Sequence, residues 1–256
     1  MIKIILIIVA VFIVYCLIEM IRELRDFRVT KYRICSQKLN GIKREKKIIF
    51  LSDLHNRMYG EENERLLESI RNQHPDLILI GGDMLVRKDG NSYDKTVHFL
   101  AKLPGICPVY CANGNHEQKL KELPDKYEQS YEEYKKALTA SGIHMLENAS
   151  ETVKLDEVPV KLSGLEIPLG AYARFGKKEL SLKEITDRIG EHGDDYQILF
   201  AHHPRYIQEY LEYGADLILS GHYHGGVMQL PGIGGVISPD FTLFPKYSGG
   251  IYREGT

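Results

Sequence analysis

Short apolar runs punctuate the chain: Ile48–Leu51, Leu77–Ile80, Val109–Cys111, Ile198–Ala201 and Leu217–Leu219. Runs of this length, uninterrupted by charge, read as strands covered on both faces. Between them the spacing changes to that of a helix. Leu66, Leu67 and Ile70 fall on one face of a helix over Glu61–His74, and Tyr127–Ala140 is similar, closing at Gly142. Ser181 and Glu184 form a capping box opening a helix that ends near Gly190. Arg205–Tyr213 reads as a helix closed by Gly214. Residues 151–163 alternate about Asp156 and Glu157 as a hairpin. Strands alternating with helices, plus one hairpin, predict a layered α/β domain.

The first twenty residues follow a different pattern. No charge interrupts Ile4 to Ile18. From Ile4 to Ile21 a helix would extend about 27 Å, close to the hydrocarbon thickness of a bilayer. No small-residue cleavage site follows, so residues 1–21 are expected to be an uncleaved single-pass anchor in the cell membrane. Arg22, Arg25, Arg28, Lys31 and Arg33 come directly after it. They place residues 22–46 as a juxtamembrane linker and lean the following domain, 47–256, towards the cytoplasm.

Charge and cysteine content narrow the partners. Lys and Arg number 33 against 35 Asp and Glu, so nothing in the balance calls for nucleic acid. Four scattered cysteines lack the paired spacing of a zinc knuckle, and Cys107 and Cys111 read as small core residues. The sequence sets no oligomeric state.

Chemistry gathers just past the strands. Ile48–Leu51 is followed by Asp53 and His55, Leu77–Ile80 by Gly82-Asp83, and Val109–Cys111 by Gly114-Asn115-His116-Glu117. Ile198–Ala201 leads into His202-His203-Pro204, and Leu217–Leu219 into Gly221-His222-Tyr223-His224. Ligands of open α/β sheets bind beyond the carboxyl ends of the strands. Asp53/His55 and His222/His224 are i, i+2 pairs, whose side chains point the same way if the backbone is extended, so each pair could grip one ion or two adjacent ions. Two carboxylates, one amide and four histidines suit Mn, Fe, Zn or Co, and the absence of thiolate disfavours a closed structural zinc site. Taken singly, each residue has a plain structural reading, such as a turn for Asn115 or a cap for Asp53. The order of the five, each behind an apolar run, is what points to a site.

In these motifs, SDLH at 52–55, GGD at 81–83, GNHE at 114–117, AHHP at 201–204 and SGHYHGG at 220–226, the chain resembles the calcineurin-like metallophosphoesterase superfamily. The carboxyl-terminal stretch from Gly225 to Tyr252, with the amino-terminal apolar segment, makes it similar to the bacterial membrane-associated branch. The resemblance spans about residues 47–253. It implies two mixed β-sheets packed as a sandwich with flanking helices, preceded here by one transmembrane helix. It implies two divalent or trivalent metal ions, one among Asp53, His55, Asp83 and His224 and the other among Asp83, Asn115, His202 and His222. His202 rather than His203 is the expected ligand because it stands two positions before Pro204. Relatives often carry a G-x-D-D-like stretch where this chain has SGLEIPLGAYARFG, residues 163–176, which leaves substrate contacts from that region in doubt.

The function so implied is hydrolysis of a phosphate mono- or diester, lipid or lipid-linked phosphate included, by metal-activated hydroxide. His116 would protonate the leaving group or bond a phosphate oxygen, and Glu117 would tether a neighbouring group. Asn56, Arg57 and His203 are candidate substrate contacts. Two other readings stand beside it: a non-catalytic metal-dependent binding module, and a phosphodiesterase acting on a soluble nucleotide-like substrate.

Overall fold

A computed structural model describes residues 2–87, 92–128, 130–173, 179–225, 228–230, 234–239 and 241–254. Gly226 of the SGHYHGG motif and residues 174–176 of SGLEIPLGAYARFG lie outside these.

Helix α1, Ile2–Arg25, precedes the layered part. Among its described side chains, Ile4, Leu6, Ile7, Ile8, Val11, Phe12, Val14 and Ile18 are exposed. Over the described residues no helix is long and apolar enough to cross a membrane, so the crossing expected at residues 1–21 is not established by the fold.

Four strands form the first sheet: β1 (Ile48–Leu51), β2 (Leu77–Ile80), β3 (Val109–Cys111) and β4 (Ile143–Met145), in that order. Helices α2 (Glu64–Gln73) and α3 (Asp94–Leu100) make the first two crossovers, and α4 (Asn115–Glu122) with α5 (Tyr131–Ala140) the third. Each strand therefore returns in the same direction, and all three pairings are parallel. The expectation of two mixed sheets is corrected here, because a helical crossover between every pair of neighbours leaves no antiparallel strand in this one. The second sheet is mixed. Strands β5 (Ala149–Leu155) and β6 (Val158–Leu165) form the hairpin about Asp156 and Glu157. Helices α6 (Leu182–Ile189) and α7 (Ile207–Tyr213) then return the chain parallel as β7 (Tyr196–Ala201) and β8 (Leu217–Leu219). A two-stranded ribbon, β9 (Met228–Leu230) and β10 (Gly234–Ile237), follows.

The two-residue period of the strands divides the core into layers. Leu77, Leu79 and Tyr110 meet Val160, Leu162, Ile198 and Phe200 between the sheets. Ile78, Ile80, Val109 and Cys111 face outward onto Leu67, Ile70, Phe99, Tyr134 and Leu138 of the helices. Leu199 and Ala201 face the other way, onto Ile185, Ile189, Tyr210 and Tyr213. The result is a helix–sheet–sheet–helix sandwich in which β1, β2, β3, β7 and β8 all deliver their carboxyl ends to one rim.

A candidate metal centre at the rim of the sandwich

The loops beyond β1 and β2 are bonded to one another by their backbones. The N–H groups of Asp53, His55 and Asn56 donate to the carbonyls of Gly82, Asp83 and Met84, each at 3.0 Å. Beyond β7 and β8, the Gly221 N–H donates to the His202 carbonyl at 3.0 Å. The pairs do not sit in extended backbone, as the i, i+2 spacing had suggested. Asp53, His55, Asn56, Asp83, His222 and His224 all adopt positive φ, between 50° and 66°. Left-handed conformations are uncommon for such residues, and their concentration here marks a loop set held under strain. Glycine permits the packing. A Cβ on Gly82 would come within 2.0 Å of the Gly114 nitrogen, and one on Gly221 within 2.3 Å of Asp53 Oδ2.

Three overlapping clusters place ligating atoms within 4.8 Å of one another: Asp53, His55 and His224; His55, Asp83 and His116; Asp83, His202 and His222. Asp83 Oδ2 lies 3.2 Å from His202 Nε2 and 3.8 Å from His55 Nε2. Asp53 Oδ1 lies 3.5 Å from His224 Nε2 and 3.7 Å from both His55 Nε2 and His202 Nε2. The Nε2 atoms of His55 and His224 are 3.1 Å apart. Two bonds tie the sheets together at this point. The His222 N–H donates to Asp53, and His202 Nδ1 donates to the Gly81 carbonyl at 2.8 Å.

Two details test whether a cation fits. Because His202 gives its Nδ1 proton to Gly81, its Nε2 carries a lone pair when the ring is neutral, and this buried atom has no hydrogen-bond partner. Fixing one ring nitrogen by a carbonyl so that the other faces the metal is how ligating histidines are held. The amide of Asn115 gives the second detail. One of its end atoms lies 2.7 Å from His222 Nδ1 and 3.3 Å from Asp83 Oδ2. Nitrogen at that position would donate to both; oxygen there accepts from His222 Nδ1 when that nitrogen is protonated, and otherwise three lone pairs converge as the ligands of a cation do. The donor set of carboxylate, amide oxygen and imidazole fits a hard-to-borderline transition metal.

The electrostatics agree with that fit. Burial would raise the Asp83 carboxyl, but His202, His116 and His55 hold it well below the usual carboxylate range. Burial opposes charge on His202, yet Asp83 and Asp53 push it up to about 10. Burial and the charge on His202 push His222 down to about 3. Buried Asp83 and half-buried Asp53 therefore create a potential that favours positive charge at this point, whether a proton or a cation supplies it.

Around the clusters, Glu117 is fully buried and accepts four backbone N–H bonds: from Asp83 at 2.8 Å, Met84 at 2.8 Å, Gly114 at 3.0 Å and Leu85 at 3.3 Å. It thereby clamps the loop carrying Asp83 to the start of α4, which carries Asn115 and His116. His116 Nδ1 accepts the Arg87 N–H at 3.1 Å, so its neutral ring holds the proton on Nε2. Burial pushes the His116 pKa down to about 4. The substrate-contact candidates are placed differently. Asn56 turns its amide to Ser92 and Thr96 at the approach to α3, and Arg57 is exposed, with Nη1 3.4 Å from the Tyr59 hydroxyl. His203 is buried, its ring centre 4.3 Å from that of His222. Sequence reasoning missed Tyr172, whose buried ring packs on His202, His203 and His222 with centres 5.3–6.5 Å apart. Only its place in SGLEIPLGAYARFG, the stretch already singled out, could have drawn attention to it.

The family model for calcineurin-like phosphoesterases matches residues 46–226. The uncharacterized metallophosphoesterase YkuE of Bacillus subtilis is 29% identical over 215 residues, covering 82% of this chain and 68% of YkuE. The UDP-2,3-diacylglucosamine pyrophosphatase LpxG of Chlamydia muridarum is 24% identical over 221 residues, covering 72% of this chain and 65% of LpxG. Among solved structures, phosphopantetheinyl hydrolase PptH of Mycobacterium tuberculosis aligns with a TM-score of 0.46 at 16% identity, over 70% of this chain and 83% of PptH. The match spans all five strand-end motifs, and the chain belongs to the calcineurin-like phosphoesterase family of metal-dependent phosphoester hydrolases.

Proposed function

We propose that this chain is a membrane-anchored phosphoester hydrolase with a dinuclear metal centre, acting on a phosphate ester or anhydride presented at a lipid surface. The observation that carries the reading is Asp83, fully buried, which clusters with His55 and His116 on one hand and with His202 and His222 on the other. In this reading Asp53, His55, Asp83 and His224 hold one ion, and Asp83, Asn115, His202 and His222 hold the other. Bound ions of this kind supply Lewis acidity towards phosphoryl oxygens and make water a stronger nucleophile near neutral pH. Glu117 keeps the Asp83 loop against α4, so that Asn115 and His116 keep a fixed distance from Asp83. His116 offers its Nε2 proton; with a pKa near 4 it is neutral at pH 7 and serves better as a hydrogen-bond donor to a phosphate or leaving-group oxygen than as a charged acid.

Anchoring is supported by the uncharged stretch Ile4–Ile18 and by the exposed apolar side chains along α1. The five basic residues from Arg22 to Arg33 favour the cytoplasmic side for the catalytic domain. A lipid-linked substrate is in keeping with an anchored site and with a relative named as a pyrophosphatase of a diacylated nucleotide sugar. The test uses the full chain in detergent. It should hydrolyse a chromogenic phosphodiester or monoester with Mn²⁺, stop on chelation, and turn over dispersed phospholipid or glycolipid phosphate faster than soluble nucleotides. Preference for the nucleotides would remove the lipid part of the reading, and activity unaffected by chelator would remove the metal centre.

A further inference from the structure

We infer that the loop after β10 is a second membrane contact, inserting Leu243 and Phe244 into the bilayer interface beside the catalytic rim. The inference rests on the anchored reading above. Leu243 is 65% exposed and Phe244 64%, with Phe241 beside them at 62%. Pro239 and Pro245 flank the turn. The turn is nonetheless built. The Ser238 N–H bonds the Thr242 carbonyl at 3.0 Å, and the Phe244 N–H bonds the Val236 carbonyl at 2.8 Å. Phe241 and Phe244 adopt positive φ of 62° and 49°, a conformation that bulky residues rarely take. The fold thus holds large apolar side chains in water at a fixed tip.

Two placements say what covers the tip. The ribbon behind it lies against the loop that carries the last two histidines: a Cβ on Gly235 would come within 2.6 Å of the Gly225 carbonyl, the residue after His224. The chain leaving α1 reaches the segment that follows the tip. The Tyr32 hydroxyl lies 4.0 Å from where a Cβ of Gly250 would stand, and exposed Val29, Tyr32, Ile34, Ile251 and Tyr252 line these two segments. The segment leaving the apolar helix, with its basic residues, therefore meets the segment that follows the tip, and together they have the composition of a surface that meets anionic lipid. A second copy of the chain is the competing occupant, and it explains neither the basic flank nor the uncharged helix that precedes it.

The chain has no tryptophan, so a single introduced indole reports alone. Phe244→Trp and Phe12→Trp are made separately in the full chain and reconstituted into vesicles of mixed anionic and zwitterionic phospholipid. Lipids carrying a spin-label quencher at shallow or deep acyl positions then read the depth of each indole. Both emissions should shift to the blue and be quenched, Phe244→Trp by the shallow label and Phe12→Trp by the deep one. Quenching of Phe12→Trp alone would overturn the tip contact and leave the anchor standing. Quenching of neither would remove the anchor and the tip together. A blue shift of Phe244→Trp that needs no lipid and grows with protein concentration would assign the tip to a second copy instead.

Discussion

Asp83 is fully buried, lies 3.2 Å from His202 and 3.8 Å from His55, and keeps its charge through them. Asp83→Asn should lower turnover of a chromogenic ester by about a hundredfold or more, because it removes a charged ligand common to two clusters. His116→Ala should keep the metal content and lose about 10²-fold in kcat, measured on the same ester. Glu117 supports the loops rather than the reaction. Glu117→Gln would turn an amide NH₂ towards backbone N–H donors, leaving buried donors without an acceptor, and should cost about 1–3 kcal/mol in denaturant titration. All seven proposed ligands were legible as residue types behind apolar runs. Their backbone was not, because nothing in Asp53-Leu54-His55 or His222-Tyr223-His224 announces the left-handed conformations that aim the side chains. Asn56, read as a substrate contact from its position after His55, has its amide bonded to Ser92 and Thr96.

Elements with strong periodicity were the easier part to read. The five apolar runs are five of the eight strands of the two sheets, with Ile198–Ala201 extended back to Tyr196. The Ser181 box caps α6, and Gly214 closes α7 in a left-handed conformation. The short polar helices were not readable. Asn113-Gly114-Asn115 has the composition of a turn, yet α4 begins at Asn115 and carries few apolar residues to betray it. The parallel character of the first sheet was equally hidden, since periodicity fixes which residues are buried and not which way a strand runs. The loops themselves depend on close backbone approach. Gly82→Ala would drive a Cβ into Gly114 at a positive φ of 89° and should destabilise the fold by about 1–3 kcal/mol, read as a lowered thermal midpoint. Ser181→Ala, far from the site, should cost about 1 kcal/mol and leave turnover unchanged.

At the scale of the whole molecule, the site exists only where the two sheets dock. Asp53, His55, Asp83 and Asn115 come from one sheet, and His202, His222 and His224 from the other. Metal binding should therefore stabilise the docked sandwich: at a hundredfold excess over Kd a single bound ion adds about 2.7 kcal/mol, and chelation should lower the thermal midpoint accordingly. The measurement that tests the central claim most directly is metal stoichiometry on the full chain, taken with turnover before and after chelation. The account predicts about two transition-metal ions per chain, turnover that falls as they are removed and returns as they are restored, and an Asp83→Asn chain that holds fewer. An Asp83→Asn chain with an undiminished metal content and normal turnover would contradict it.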